Sequence, residues 1–491
     1  MDRTHVATAA SAALPTQPDP RRWWALVLLC TANFMVILDS QIVILALPTI
    51  GARLELSPNA AQWVLSANLI TFGGLLLLGG RAADLLGRRR MFMLGTALFL
   101  LVSLASGFAW NGEVLILARS LHGVSAALMA PTALSILTTM FPEGRERNLA
   151  LAGWAGIAGI GATVGLLIGG GLTSGFGWQA VFFVNVPVAL LMLVAIPFAL
   201  SESREQLANR TYDVAGAVTS TASLALLLYA LVVAPQSGWL SAKTLGTFAA
   251  SIVLAALFVV IELRSSAPLL PLRLLRSKSL VGGNLVMMTM LMAAFGMSLA
   301  AAIYTQGPLG YSPLEFGVKQ SIMPVMAFVG SYAGQSLITR FGSRPVAAGC
   351  LVLIGIGSGL LVRSVATGGS YPSLFIALFI FGCGLGLGTV AASAAALAGI
   401  DHSDLGLASG LNTAAQQIGG GFGIAVITTV LASFSVGATP IDAMRSGFQA
   451  TFTACVIFAA VGLVLTVTLL RGRRGAAAPD LTAAHVAAPP L

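Results

Sequence analysis

A chain of 491 residues in which 57% are hydrophobic and 9% charged lies far from soluble composition, where roughly a quarter of residues carry charge. It reads as an integral membrane protein. The formal charge of +9 does not point to nucleic acid, because the basic residues sit in short loops beside apolar runs and no solvated segment presents a continuous basic face.

Residues 1–22 are rich in Ala, Thr and Pro and lack an apolar core, so they read as a disordered tail rather than a cleaved signal peptide. Beyond them, apolar runs of about 20 to 25 residues suit helices crossing a hydrocarbon core about 30 Å thick. Barrel strands would alternate over about ten residues. The runs predict fourteen spans, near 23–47, 60–80, 90–109, 113–138, 149–173, 178–200, 212–234, 244–263, 279–304, 313–339, 345–364, 371–396, 406–434 and 449–470. An even number returns both termini to one face. Of the 26 Lys and Arg, only Arg53, Lys243, Arg363 and Arg445 fall on the opposite loops, and Arg119 and Lys319 lie within spans. The rest crowd the tails and loops of one face, which the positive-inside rule makes cytoplasmic.

The first span carries Asp39, about eight residues and roughly 12 Å from its outer end near Leu47. An ionisable group inside a span costs a few kcal/mol and by default marks a pathway, a proton relay or a partner charge. The oppositely running fourth span carries Arg119 roughly 9 Å deep, so the two can meet. An opposite charge favours an ionised carboxylate and burial favours a neutral one, a competition that suits a group loading and releasing protons. A fixed structural pair is the plainer alternative. Asp39 is the one carboxylate deep in a span: Asp213, Glu262 and Glu315 fall near predicted ends, where side chains reach water, and Glu315 stands i,i+4 to Lys319 as a local ion pair. His122, near Arg119 in the same span, is a candidate relay member because imidazole titrates near neutrality.

Between the second and third spans, Gly80 to Arg90 packs four arginines and one carboxylate into eleven residues. The arginines fix orientation, and Asp84 is a candidate gate. The loop after the tenth span, Thr339 to Arg344, overlays Asp84 to Arg89 with Gly342 on Gly87 and Arg344 on Arg89, an internal echo of the kind shown by transporters built from two related bundles. In the fifth span Gly161, Gly165 and Gly169 share one helix face, with Gly170 beside them. Such a face lets two backbones approach closely. Asn33, Asn68, Asn284, Gln306, Asn412, Gln416 and Gln417 either line a cavity or bond helix to helix. Cys30, Cys350, Cys383 and Cys455 lie in apolar segments without metal-ligand spacing and read as small packing residues.

These residues resemble the major facilitator superfamily, and within it the fourteen-helix drug:proton antiporter branch. Gly80 to Arg90 resembles the loop signature G-x-L-a-D-r-x-G-r-r, with Gly80, Asp84, Gly87, Arg88 and Arg89 at matched positions and Leu85 where arginine is usual. Leu115 to Ala127 resembles the fourth-helix signature, with His122 where glutamine is commoner. Leu38 to Pro48 looks like the first-helix motif L-D-x-T-I-V-N-V-A-L-P, departing at Gln41 and Ile44. Gly161 to Gly170 is similar to the antiporter signature G-x-x-x-G-P-x-x-G-G, but Leu166 replaces its proline.

The resemblance implies an all-α membrane fold: a six-helix bundle over 23–200, two additional helices over 212–263 away from the main cavity, and a second six-helix bundle over 279–470, with a further disordered cytoplasmic tail over 471–491. It implies a monomeric, non-enzymatic exporter in the cytoplasmic membrane, exchanging a drug or antibiotic for protons by alternating access. Asp39 and Arg119 would couple the proton, with no metal and no cofactor beyond the proton gradient. A proton-coupled importer of the same fold is one alternative, which the leucine at 166 favours and the fourteen spans disfavour. A non-transporting membrane sensor is another, but no loop is long enough to form a partner-binding domain.

Overall fold

Inside a bilayer each backbone N–H and C=O has to be satisfied within its own segment, and the described chain meets that condition with helices. The computed structural model describes residues 21–141, 145–202, 214–265, 273–366, 371–400, 405–434 and 440–470, so the two expected tails lie almost wholly outside the described residues. Fourteen passes follow in order: α1 Arg22–Arg53, α2 Pro58–Leu86, α3 Arg88–Gly107, α4 Gly112–Met140, α5 Arg145–Phe176, α6 Ala180–Phe183 with α7 Asn185–Ala199, α8 Val214–Ser237, α9 Ala242–Arg264, α10 Lys278–Gln306, α11 Pro313–Gln320 with α12 Ile322–Phe341, α13 Ser343–Ala366, α14 Tyr371–Leu397, α15 Leu405–Phe434 and α16 Pro440–Leu469. In thirteen of them the described residues include an apolar stretch long enough to cross; in α2 the described apolar stretch is Ala60–Leu76, within a helix of 29 residues.

Two spans expected to be continuous are broken, 178–200 at Val184 and 313–339 at Ser321. Proline explains both. Pro187 and Pro324 lack the N–H that would bond to the carbonyls of Phe183 and Gln320 four residues earlier, and those are the last residues of α6 and α11. Side-chain caps mark several starts: Asn111 accepts from Val114 N at 2.9 Å, and Ser312 forms a full capping box with Glu315.

The two bundles repeat one packing device. On α5 a Cβ at Gly161, Gly165 or Gly169 would stand 3.2 Å from the Phe34 carbonyl, 3.1 Å from Gln41 Cβ and 2.9 Å from Ile42 Cγ1 of α1. On α15 a Cβ at Gly419 or Gly423 would run into the backbone of Met288 and Met292 on α10. The loop echo is structural too. Gly87 ends α2 at φ +109° and Gly342 ends α12 at φ +86°, and the next helix starts one residue later in each case.

Described contacts between the bundles lie from mid-membrane towards the face opposite the arginines. Gln306 Nε2 donates to the Leu45 carbonyl at 3.1 Å and Leu314 N to Ser174 Oγ at 3.2 Å. The Leu166 carbonyl abuts Gly317, and Leu299 and Ile303 of α10 pack into the core around Ile42. Gly73 of α2 meets Gln417 of α15 near the middle. Among the described residues, none of these contacts lies in the half next to the arginine-rich face. α8 covers the α2–α15 seam from outside: Gly74 touches Ala225, Leu228 sits against Gly73 and Gly421, and Trp239 Nε1 donates to Thr429 Oγ1 at 3.3 Å. α9 lies behind it, joined by reciprocal 2.9 Å bonds between Ser223 and Ser251.

Alanine at either loop glycine should strain the left-handed backbone by about 1 kcal/mol. Gly87→Ala is expected to lose more than Gly342→Ala, because its Cβ would also stand 2.6 Å from Glu202 Oε1. Thermal unfolding of the two variants in detergent measures the difference; equal losses would remove Glu202 from the account.

Candidate functional site

Asp39 of α1 and Arg119 of α4 are 3% and 1% exposed, with Arg119 Nη1 2.6 Å from Asp39 Oδ2. Depth alone places them together, and three more helices complete the shell. Arg119 Nε donates to the Val64 carbonyl of α2 at 3.2 Å. Asn185, in the first turn of α7, directs Nδ2 at Asp39 Oδ1 at 3.5 Å. His122 lies with Nδ1 3.4 Å from Arg119 Nη1 and Nε2 3.1 Å from Ser103 Oγ of α3, the same Nε2 standing 4.0 Å from Asp39 Oδ1. The Phe99 ring meets His122 edge-on at 4.8 Å, and Phe182 stacks on it at 6.5 Å.

This is a net-neutral cluster in which one guanidinium proton already points at His122. Nδ1 of that ring accepts from Arg119, which leaves Nε2–H for Ser103 or Asp39. A carboxylate, a guanidinium and an imidazole thus share one continuous hydrogen-bonded path. Asn185 was not singled out by the sequence, although it is a polar residue in an otherwise apolar stretch before Pro187. The Val64 carbonyl leaves no trace in the side-chain sequence at all.

The loop between α2 and α3 is anchored by another residue that the sequence did not single out. Glu202, beyond the end of α7, accepts from Arg89 N at 3.2 Å, and its other oxygen lies 3.6 Å from Arg90 Nε. A carboxylate on a helix N-terminus with arginines beside it is favourably placed for both reasons. Asp84 lies in the last turn of α2, but its side chain is outside the described residues. The matching loop of the second bundle is held differently, by Arg344 Nη2 donating to the Val467 carbonyl at 2.6 Å. In both bundles the loop is thus tied to the end of the sixth pass.

The neutral polar residues separate into two groups. Asn33 donates to the Trp154 carbonyl at 3.1 Å and Gln306 to that of Leu45, so both bond helix to helix. Asn68 is buried on α2, one turn beyond Val64. Asn412 instead joins a side-chain cluster, giving Nδ2 to Asn284 Oδ1 at 2.9 Å and taking bonds from Ser393 at 3.2 Å and Gln416 at 3.3 Å. Glu262, expected to reach water, is buried at 4% exposure. Glu315 closes its capping box, and Lys319 Nζ stands 3.5 Å over the Tyr311 ring. The four cysteines are free.

The Major Facilitator Superfamily profile matches residues 29–304 and again 283–490. The puromycin resistance protein pur8 of Streptomyces alboniger is 35% identical, covering 92% of this chain and 91% of its own. The cephamycin export protein CmcT of Amycolatopsis lactamdurans is 34% identical over 91% and 92%. Among solved structures, the peptide transporter POT in complex with sulfate superposes with a TM-score of 0.67 at 16% identity, covering 92% of this chain and 96% of that one; at that identity it speaks to the fold alone.

Arg119→Leu should cost about 3–5 kcal/mol by leaving Asp39 buried without a counter-charge, and Asp39→Leu combined with it should recover most of the loss. A double-mutant cycle on thermal unfolding in detergent tests this. Additive losses would mean the two charges do not stabilise one another.

Proposed function

The chain belongs to the major facilitator superfamily, and from that premise we propose that it exports a drug or antibiotic across the cytoplasmic membrane in exchange for protons. Relatives named for puromycin resistance and cephamycin export support the cargo class. The buried Asp39–Arg119 pair carries the coupling. On this reading the arginine-rich face is cytoplasmic, both termini lie there, and the bundles part on that face to take cargo from the cell interior.

A proton arriving from outside binds Asp39 Oδ2 and removes its charge. Arg119 then keeps Val64 and His122 as partners but has lost its counter-ion, so the α1–α4 contact weakens. The change is felt next on α1, because Leu38 and Gln41, on either side of Asp39, rest on Gly165 of α5. α5 also touches the second bundle, where Gly170 meets Pro313 and Leu314. Protonation at one point can therefore bias the contact between the bundles, which is the two-state element that alternating access requires. Asp84 and its loop gate the cytoplasmic side, with Glu202 holding the loop. Release of the Asp39 proton to the cytoplasm restores the pair.

In proteoliposomes loaded with a pH-sensitive dye, a puromycin gradient should drive proton movement in the opposite direction. Asp39→Asn should reduce that movement to the protein-free background, and proton movement that persists would remove Asp39 from coupling. Cells expressing the protein should accumulate less puromycin; greater accumulation would favour import. His122→Gln keeps a hydrogen-bonding side chain but cannot titrate between about pH 5 and 8. Its exchange rate should vary less steeply with pH than the wild type's, whereas parallel profiles would assign His122 to packing.

A further inference from the structure

We infer that the carboxamides of Asn284 and Gln416, held by Asn412, form a recognition site in the second bundle for an uncharged donor–acceptor group of the cargo, such as an amide, lactam or hydroxy-carbonyl. The inference rests on the export reading above and names the substrate chemistry of the same cleft.

The cluster has atoms to spare. Asn412 is 6% exposed and uses both ends of its carboxamide: Nδ2 on Asn284 at 2.9 Å, Oδ1 on Gln416 at 3.3 Å and Ser393 at 3.2 Å. Asn284 and Gln416 are only half-buried. Each spends one arm on Asn412. Among the described residues no partner meets the other arms, the Asn284 Nδ2 donor and the Gln416 Oε1 acceptor, and neither atom is among the buried side-chain atoms left without a partner. One carboxamide therefore holds both a residue with an open donor and a residue with an open acceptor.

The helix geometry says what the pair faces. α10 is the most enclosed pass, with 78% of its apolar window buried, so a half-exposed stripe on it does not face lipid. At about 100° per residue, Asn284, Leu291, Phe295, Leu299 and Gln306 lie within one narrow stripe. The far members touch the first bundle: Leu299 and Phe295 pack into its core and Gln306 bonds to Leu45. Asn284 is the near member of the same face, half-buried and closer to the arginine-rich end than the members that touch the first bundle. Asn284 and Gln416 lie roughly 9 Å and 16 Å from the arginine-rich ends of their helices, within reach of cargo entering there. An amide carries both a donor and an acceptor and so complements the pair in kind, and each bond in such a site holds specificity because its loss leaves a polar group unpaired.

The test is binding to purified protein in nanodiscs, with chloramphenicol and puromycin as amide-bearing probes and tetraphenylphosphonium as a probe without hydrogen-bonding groups. Asn284→Leu and Gln416→Leu should each lower amide-probe affinity relative to tetraphenylphosphonium by about tenfold. Asn284→Asp is nearly isosteric but replaces the donor with a charged acceptor. It should lose the amide probes as leucine does and bind tetraphenylphosphonium more tightly, a reversal that a packing role would not produce. Equal changes for both probe classes, unchanged ratios, or a wild type that binds neither amide probe would overturn the assignment. Proton movement in proteoliposomes is read alongside: its absence from the wild type would sink the export reading, while the probe ratios still decide the site.

Discussion

The fold is organised around two opposite charges that have been taken out of water. Asp39 and Arg119, 2.6 Å apart and nearly inaccessible, each carry a desolvation penalty of several kcal/mol that their mutual attraction offsets only when the remaining hydrogen-bonding positions are also filled. That requirement brings in the Val64 carbonyl, Asn185, His122 and, behind the imidazole, Ser103. Five helices of the first bundle thus converge on one point. A proton on Asp39 would alter the balance for all of them at once, and α1 is the element positioned to pass that change on, since the residues flanking Asp39 lie directly on the α5 glycines.

The second bundle copies the scaffold and changes the chemistry. Its α10 and α15 meet backbone to backbone as α1 and α5 do, and its loop turns on a left-handed glycine at the matching position. Its cluster of polar side chains, which lies nearer the arginine-rich face than Asp39 and Arg119 do, is built of uncharged carboxamides and not of an ion pair. Charge in a membrane core needs a counter-charge and a sealed shell, whereas amides can leave a donor or acceptor open to a cleft at much lower cost. On the export reading the two halves would then divide the work, ionic switching in one and adaptable hydrogen bonding in the other.

The sequence made the membrane class, the fourteen passes and the meeting of Asp39 with Arg119 legible, because each depends on hydrophobic length or on a charge where charge is costly. The breaks at Val184 and Ser321 were legible in principle, each lying three residues before a proline. Other features depend on contacts between distant segments. Glu202 looks like one more loop acid until the fold lays it on Arg89, and nothing in the chain signals that the Val64 carbonyl will face Arg119. The Asn284–Asn412–Gln416 cluster joins helices separated by 128 residues, so three unremarkable amides acquire meaning only once α10 and α15 are packed.

Leu166 shows what its departure from the antiporter signature does physically. A proline there would lack the N–H that bonds to the Ala162 carbonyl and would bend the helix. With leucine, α5 runs unbroken from Arg145 to Phe176, and two of its faces work together. Gly161, Gly165 and Gly169 hold α1, while about 100° around the helix the Leu166 carbonyl and Gly170 meet α11 at Gly317 and Pro313. The Leu166 side chain joins Leu45 in the core of the second bundle with Tyr304 and Phe316. α5 is therefore a straight wedge between the bundles. If the bundles alternate as proposed, opening the opposite face would part the Leu166–Gly317 side, because the α1 side belongs to the same bundle. The break before Pro324 sets α11 apart from α12, and α5 meets both parts of the pass, α11 at Gly317 and α12 at Phe328, 3.1 Å from a Cβ at Gly159.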